Sequence, residues 1–248
     1  MTRRLTAIWR FPIKSHGREE LDAVTLAPGR CLPWDRAWAV AHDQSDADGS
    51  AGWVPCQNFS RGSKAPMLAA IRAALDEAAG TVTLSYPGRD DLTLNPDTEG
   101  DRLIAWSQGM IPDNRARSAR VIRSAGQGFT DSEFPSVTLC NLSSHRAVEQ
   151  RLGRPLSIHR WRGNLWFDHG APWEEFDWIG REIRIGEAVL VPRERTDRCL
   201  ATHNNPDTGR RDLDVLGALG SWDHQDFSVR AEVVRGGRIA VGDTVGTL

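Results

Sequence analysis

Thr6-Ala7-Ile8-Trp9-Arg10-Phe11-Pro12-Ile13-Lys14-Ser15 is the stretch on which the fold turns. Ala7, Trp9, Phe11 and Ile13 fall at every second position, the period of a strand running from Thr6 to Lys14 with one buried face. Pro12 has no N–H to give a ladder, so it marks a sheet edge or the exit from the strand. Lys14 and Ser15 then stand at the end of an apolar strand, a usual place for binding groups.

The same pattern recurs along the chain. Ala37 to Ala41 is a short apolar run suited to a buried strand. Thr81–Ser85 and Asp91–Asn95 bracket Tyr86-Pro87-Gly88-Arg89-Asp90, a hairpin signature. Further strands are expected over Ser136–Leu139, over Leu156–Phe167, and as a pair within Asp177–Val191 joined through Gly186-Glu187. The last runs are Phe227–Val234 and Ile239–Val245, separated by Gly236-Gly237. Helical signals are fewer. Ser143 or Ser144 can cap a helix that ends before Gly153-Arg154-Pro155, and Asp212 can cap a short one over Leu213–Leu219. Met67–Ala79 has helical spacing at Leu68, Ile71 and Leu75, and admits a strand over Met67–Ile71 where a sheet overrides propensity. Asp43–Gly52 and Gly126–Asp131 read as loops. The sum is a mainly β, barrel-like chain with a few short helices, in two intimately packed β-rich units, the second beginning near Ile104.

Composition narrows the function. Among 248 residues the hydrophobic and charged fractions, 40% and 26%, are ordinary for a globular protein. A net charge of -2 gives no global basic field, so neither nucleic acid nor an anionic membrane is the expected partner. No apolar run approaches the roughly 18 residues of a membrane span. Arg10 and Lys14 interrupt any signal-peptide core, so the expected compartment is the cytoplasm. The four cysteines (Cys31, Cys56, Cys140, Cys199) are far apart, with no C-x-x-C pair, no zinc ribbon and no iron–sulfur spacing. If the chemistry is redox, electrons must come from elsewhere. Ten tryptophans against one tyrosine point to core packing for most of the indoles.

One segment carries distinctive chemistry: Arg198-Cys199-Leu200-Ala201-Thr202-His203, followed by the turn Pro206-Asp207-Thr208-Gly209. A thiolate is a good ligand for a soft or sulfur-coordinated metal, and a neighbouring cation such as Arg198 favours that form. The plain alternative is a buried structural cysteine. Upstream, Arg160-Trp161-Arg162-Gly163-Asn164 adds groups suited to holding an anion. His203 and Asp168-His169 read as structural or solvated more readily than as acid–base groups. Asp207 and Thr208 read as turn formers. Glu174-Glu175 reads as a solvated face. Gly126-x-Gly128 is too short for a dinucleotide loop.

Taken in order, these motifs resemble the MOSC-domain family with its N-terminal β-barrel domain in front. Phe11-Pro12-Ile13-Lys14-Ser15 matches its Y-P-[VI]-K-S opening. Gly29 with Asp35-Arg36-Ala37-Trp38 resembles its D-R-x-[WF] segment. Arg162-Gly163-Asn164, Asp177-Trp178-Ile179-Gly180 with Ile185-Gly186, and Arg198-Cys199 through Gly209 resemble the later motifs. The arrangement is similar to that of the mitochondrial amidoxime reducing components, their bacterial relatives, and the C-terminal part of molybdenum cofactor sulfurases. Many members carry a basic pair near the position of Cys56-Gln57-Asn58-Phe59; here the first basic residues are Arg61 and Lys64.

The resemblance implies a MOSC N-terminal β-barrel domain over residues 1–103 and a MOSC domain over 104–248. It also implies a molybdenum cofactor (Mo-molybdopterin), with pyridoxal phosphate not expected in this chain. Cys199 would be catalytic and the molybdenum ligand. Lys14, Ser15, Arg36, Ser136, Arg162, Asn164 and Arg198 would bind the cofactor. The implied activity is two-electron oxygen-atom transfer on small N-hydroxylated, N-oxide or S-oxide molecules, fed by a separate electron-donor protein of iron–sulfur, flavin or haem type. The alternatives are a sulfur carrier or sulfurtransferase using a Cys199 persulfide, and a non-catalytic cofactor carrier.

Overall fold

Residues 2–248 are described by the computed structural model, and strands dominate it. In chain order they are β1 (Arg4–Arg10), β2 (Glu19–Leu21), β3 (Ala23–Leu26), β4 (Trp38–His42), β5 (Arg72–Asp76), β6 (Thr81–Tyr86), β7 (Arg89–Leu94) and β8 (Ser118–Arg123). Then follow β9 (Val137–Asn141), β10 (Leu165–Asp168), β11 (Ile183–Ile185), β12 (Ala188–Asp197), β13 (Asp226–Arg235), β14 (Gly237–Ala240) and β15 (Val245–Thr247). The helices are α1 (Gly100–Trp106), α2 (Leu142–Leu152) and α3 (Val215–Gly220). Eight strands form one sheet in the order β15-β11-β12-β13-β9-β10-β1-β2, curled into a half-barrel. β9 and β10 run parallel; the other neighbours in this sheet are antiparallel. A three-stranded sheet β5-β6-β7 and the pairs β4-β8 and β3-β14 complete the architecture.

The half-barrel buries both faces. One covers Leu5, Ile8, Leu139, Phe167, Ile185, Leu190 and Val229. On the other, α2 and α3 pack over Ala7, Cys140, Trp166 and Phe227. A separate core under β4 to β7 and α1 contains Trp38, Leu68, Ile71, Leu84 and Leu103. Four tryptophans (Trp38, Trp161, Trp166, Trp178) are buried and the other six half-buried, so all ten pack rather than stand free in solvent.

Several local expectations are corrected. β1 stops at Arg10 rather than Lys14. It lies inside the sheet, so Ile8 and Ala7 enter opposite cores instead of one face being wet. Neither Ser143 nor Ser144 caps α2: Asn141 does, its side-chain Oδ1 accepting from Ser143 N at 2.9 Å. Ser144 Oγ is instead drawn inward, to Glu175 at 2.8 Å. That buries Glu175 completely, contrary to a solvated Glu174-Glu175 face. Leu156–Phe167 contains a 3-10 turn over Ile158–Trp161, with strand only from Leu165. Asp214, not Asp212, caps α3 by accepting from Gly217 N at 2.9 Å. Met67–Ala79 resolves into a 3-10 turn over Pro66–Ala70 followed by β5. The run expected over Ile239–Val245 is split by a turn, with β14 pairing with β3 and β15 with β11. α1 has only one buried residue, Leu103, too weak a stripe to announce itself.

Candidate functional site

Where β1 leaves the sheet, the chain builds an interlocked corner. Phe11 N donates to Asp35 Oδ1 at 2.8 Å, and Arg36 N donates to Phe11 O at 2.7 Å. Arg36 pairs with Asp35 through Nη1 and donates from Nη2 to Arg162 O at 2.9 Å. The Phe11 ring then lies under two guanidinium groups, Arg162 at 4.3 Å and Arg36 at 4.8 Å. The loop with Gly128 presses on this corner so closely that a Cβ there would meet Asp35 O at 2.1 Å. Ser15, Arg36 and Arg162 all have left-handed backbone, φ 63°, 52° and 49°. Such backbone costs about 1–3 kcal/mol per residue and collects at functional sites.

A second corner forms at the end of β12. The pairing of β12 with β13 slips between Arg195 and Asp197, and Ser228 on β13 has φ 70°. This bulge sends Phe227 into the helix-covered core while Val229 enters the opposite one. It also turns Phe227 O out of the ladder, where Arg198 takes it with Nε at 3.1 Å and Nη2 at 2.8 Å. Arg198 further donates to Trp161 O at 2.9 Å and Ser228 Oγ at 2.8 Å. From the other side Arg160 donates to His203 O at 2.9 Å and pairs with Asp212 at 2.5 Å. Cys199, exposed, stands between these clamps as the cap of a 3-10 turn, its carbonyl accepting from Thr202 N at 3.1 Å.

The two corners face each other across a cavity of about 520 Å³. Lys14, Ser15, Arg36, Ser136, Arg162, Arg198 and Cys199 all line it. Asn164 does not. It is buried, accepting from Thr138 N and donating to Trp9 O, each at 3.1 Å, so it ties β9 to β1. Gly163 has no side chain because a Cβ there would lie 2.1 Å from the Cys140 sulfur. Cys140 is itself fully buried, its thiol pushed up to about 12 by desolvation.

Nine lysine and arginine side chains line the cavity against two carboxylates, Asp131 and Asp197. Most of the cations are engaged. Lys14 donates to Phe129 O at 2.7 Å and to Asp131 at 2.6 Å. Burial opposes ionisation of Asp131, yet Lys14, Arg36 and Arg230 together hold its carboxyl well below the usual range. Arg230 reaches Glu194 and Asp197, each at 2.8 Å. Arg18 donates to Ala69 O at 2.9 Å and lies 3.7 Å from Asp207. Arg162 differs: Nη2 is enclosed and has no partner. Burial, then the charge of Arg36, pull its guanidinium down to about 9. Arg61 gives one donor to Cys56 Sγ at 2.9 Å and, like Lys64, pairs with no carboxylate among the described residues.

Arg18, Arg61, Lys64 and His159 were not among the sequence candidates, and Arg160 was read only as part of a segment suited to holding an anion. Of the histidines at turns, His203 is structural, its Nε2 accepting from Leu216 N at 3.3 Å, while His169 is exposed and its neighbour Asp168 is held by Arg146 at 2.6 and 2.7 Å. No group of three or more His, Cys, Asp or Glu among the described residues could hold a metal. Any metal here would thus draw most of its ligands from a cofactor. No helix is long and apolar enough to cross a membrane.

Comparison with known proteins places the chain. The solved structure of the YuaD protein from Bacillus subtilis is 12% identical, covers 99% of this chain and 94% of its own, and superposes with a TM-score of 0.48. YiiM from Geobacillus stearothermophilus is 18% identical over 45% of this chain and 53% of its own, with a TM-score of 0.35. No curated protein matches. The model of the MOSC N-terminal beta barrel domain matches residues 2–108, and that of the MOSC domain matches residues 130–246. MOSC domains are associated with molybdenum cofactor binding and with sulfurase-like proteins. By these two matches, which together span nearly all of it, the chain belongs to the MOSC-domain family.

Proposed function

We propose that this protein is a molybdenum-cofactor oxidoreductase that reduces small N-hydroxylated, N-oxide or S-oxide compounds. The observation that carries the reading is a cavity rich in cations, within a chain of net charge -2, with an exposed thiol at one corner and an unpartnered guanidinium at the other. The residues fit a phosphorylated pterin. Arg162 has a donor without an acceptor, and Ser15 lines the same cavity. Lys14, Ser15, Arg36 and Arg162 would hold the phosphate, Lys14 as a point charge and the arginines as planar forks. The Ser136 hydroxyl, 2.6 Å from Ser132 Oγ, would orient the ring edge. Cys199 would ligate the metal through its thiolate.

When bound, the cofactor supplies a centre that exchanges two electrons and one oxygen atom. The chain's own part is to fix geometry. Arg198, next to Cys199, is anchored to Trp161 O and Phe227 O, and Arg160 bonds His203 O on the far side of the turn, so the segment that presents the sulfur is braced at both ends. For an amidoxime the balance is RC(NH2)=NOH + 2 H⁺ + 2 e⁻ → RC(NH2)=NH + H2O: the N–O bond breaks and the oxygen leaves as water. The electrons come from a separate donor protein of iron–sulfur, flavin or haem type. The setting proposed is the cytoplasm, without nucleic acid or membrane as partner. Asn164 takes a positioning role here.

The test is molybdenum and pterin content of the protein purified from a host that makes the cofactor, beside Cys199→Ser. Near-stoichiometric metal and pterin, with metal lowered in the variant, is the expected result. A well-folded wild type free of molybdenum under those conditions would sink the reading. A persulfide on Cys199 would then favour the sulfur-carrier alternative.

A further inference from the structure

Three lining cations, Arg61, Lys64 and Arg162, have no carboxylate and at most one side-chain acceptor among the described residues, and they lie on two different walls. Arg162 belongs to the Phe11 corner. Arg61 and Lys64 belong to the segment that follows the 3-10 turn Cys56–Asn58. That segment is docked against the Cys199 turn. Asn204 Nδ2 donates to Gly62 O at 2.8 Å, Arg211 donates to Ser63 O at 2.6 Å, and a Cβ on Gly62 would lie 3.7 Å from Ala201 Cβ. Within it, Lys64 N and Ala65 N both donate to Arg61 O at 2.9 Å, closing a tight turn that carries the two cations together. Both cavity carboxylates are occupied elsewhere, Asp131 by Lys14 and Asp197 by Arg230. Beside Cys199, Leu200 is 42% exposed, an apolar surface on the same rim.

A phosphorylated pterin held at the Phe11 corner leaves the Arg61–Lys64 pair uncompensated. We propose that this pair binds an oxyanion on the substrate itself, so that the preferred substrates are organic N-hydroxylated or oxide compounds bearing a carboxylate or a phosphorus oxyanion. The inference rests on the oxidoreductase reading and narrows it. The reducible group sits toward Cys199, the organic body lies along Leu200 and Ala201, and the anion meets Arg61 and Lys64. Arg61 gives one donor to Cys56 Sγ and keeps the rest of its fork for the ligand. Charge-assisted bonds of this kind change affinity roughly 10- to 100-fold.

The experiment uses the cofactor-loaded protein with a reduced viologen dye as one-electron donor. Three aromatic amidoximes are compared: a para-carboxylate, its methyl ester and a para-phosphonate. The expected result is a kcat/KM roughly 10- to 100-fold higher for at least one anion than for the ester, shrinking as salt rises. In Arg61→Gln/Lys64→Gln that ratio should fall to near one. The salt series on the wild type gives a reading that needs no variant. Calorimetric binding of the amidine products supplies a readout apart from turnover, and the anionic amidines should bind tighter by the same factor. Equal kcat/KM for all three overturns the inference and leaves the oxidoreductase reading standing. Reduction of none overturns that reading, and the inference falls with it. Extraction of a nucleotide-bearing pterin whose content drops in the double variant also overturns it, assigning the pair to the cofactor's second phosphate.

Discussion

Arg162 and Arg198 line the same cavity, and they do opposite things. Arg198 gives four hydrogen bonds, three of them to main-chain carbonyls of Trp161 and Phe227. Four of its five N–H donors are filled and it acts as a brace. Arg162 gives none from its side chain, keeps an enclosed Nη2 without a partner, and holds a left-handed φ of 49°. It is a group waiting for an acceptor. In a cavity this cationic, charge alone does not mark a ligand-binding residue; the unfilled donor does.

The largest effect expected from this contrast is in Arg198→Ala. Orphaning Phe227 O and Trp161 O beside the bulge should lower stability to urea by about 3–5 kcal/mol. A loss under about 1 kcal/mol would show that the brace is dispensable. Next comes Glu175, whose acceptors are filled by Asn141 and Ser144 but which meets no cation. Burial raises its pKa from 4.5 to about 7. The folded chain therefore keeps a proton that the unfolded chain releases between those values. Stability should decline as pH climbs from about 4.5 to 7, by up to about 3 kcal/mol. Glu175→Gln should flatten that slope in denaturation curves taken at several pH values, and an unchanged slope would refute the assignment.

Arg162→Ala should do the reverse of Arg198→Ala. Stability should shift by under about 1 kcal/mol, while phosphate or cofactor affinity, read by calorimetry or pterin content, drops roughly 10- to 100-fold. The smallest change sharpens the comparison at a neighbouring residue. Asn164→Ala should cost about 1–2 kcal/mol of stability through its two lost backbone bonds, with pterin content per folded protein unchanged.

What the sequence made legible follows from which signals are local. The Pro87-Gly88 turn announced its hairpin because both the turn and the alternation of Val82, Leu84, Leu92 and Leu94 lie within fifteen residues. Strand limits failed where tertiary contacts set them, as at the exit of β1 and over Leu156–Phe167. Motif order brought out Lys14, Ser15, Arg36, Ser136, Arg162, Arg198 and Cys199, which the fold collects around one cavity. Asn164 lies off that cavity; a buried amide bonded to main-chain groups looks, in sequence, like one left free for a ligand. Arg61 and Lys64 carried no local sign of their use, since what matters is the Cys199 turn they dock against. The burial of Glu175 was hidden for the same reason: Asn141 and Ser144 lie more than thirty residues upstream.

The placement of β1 has a consequence for how the molecule is made. Arg4 stands opposite Asp168, and Leu5 N bonds to Asp243 O at 2.8 Å, so an early strand waits for partners from the middle and end of the chain. Closing loops of that length is slow; β2 can cover one edge of β1 early, but the other stays open until β10 arrives. During synthesis the strand that leads into Lys14 and Ser15 therefore needs shelter from aggregation.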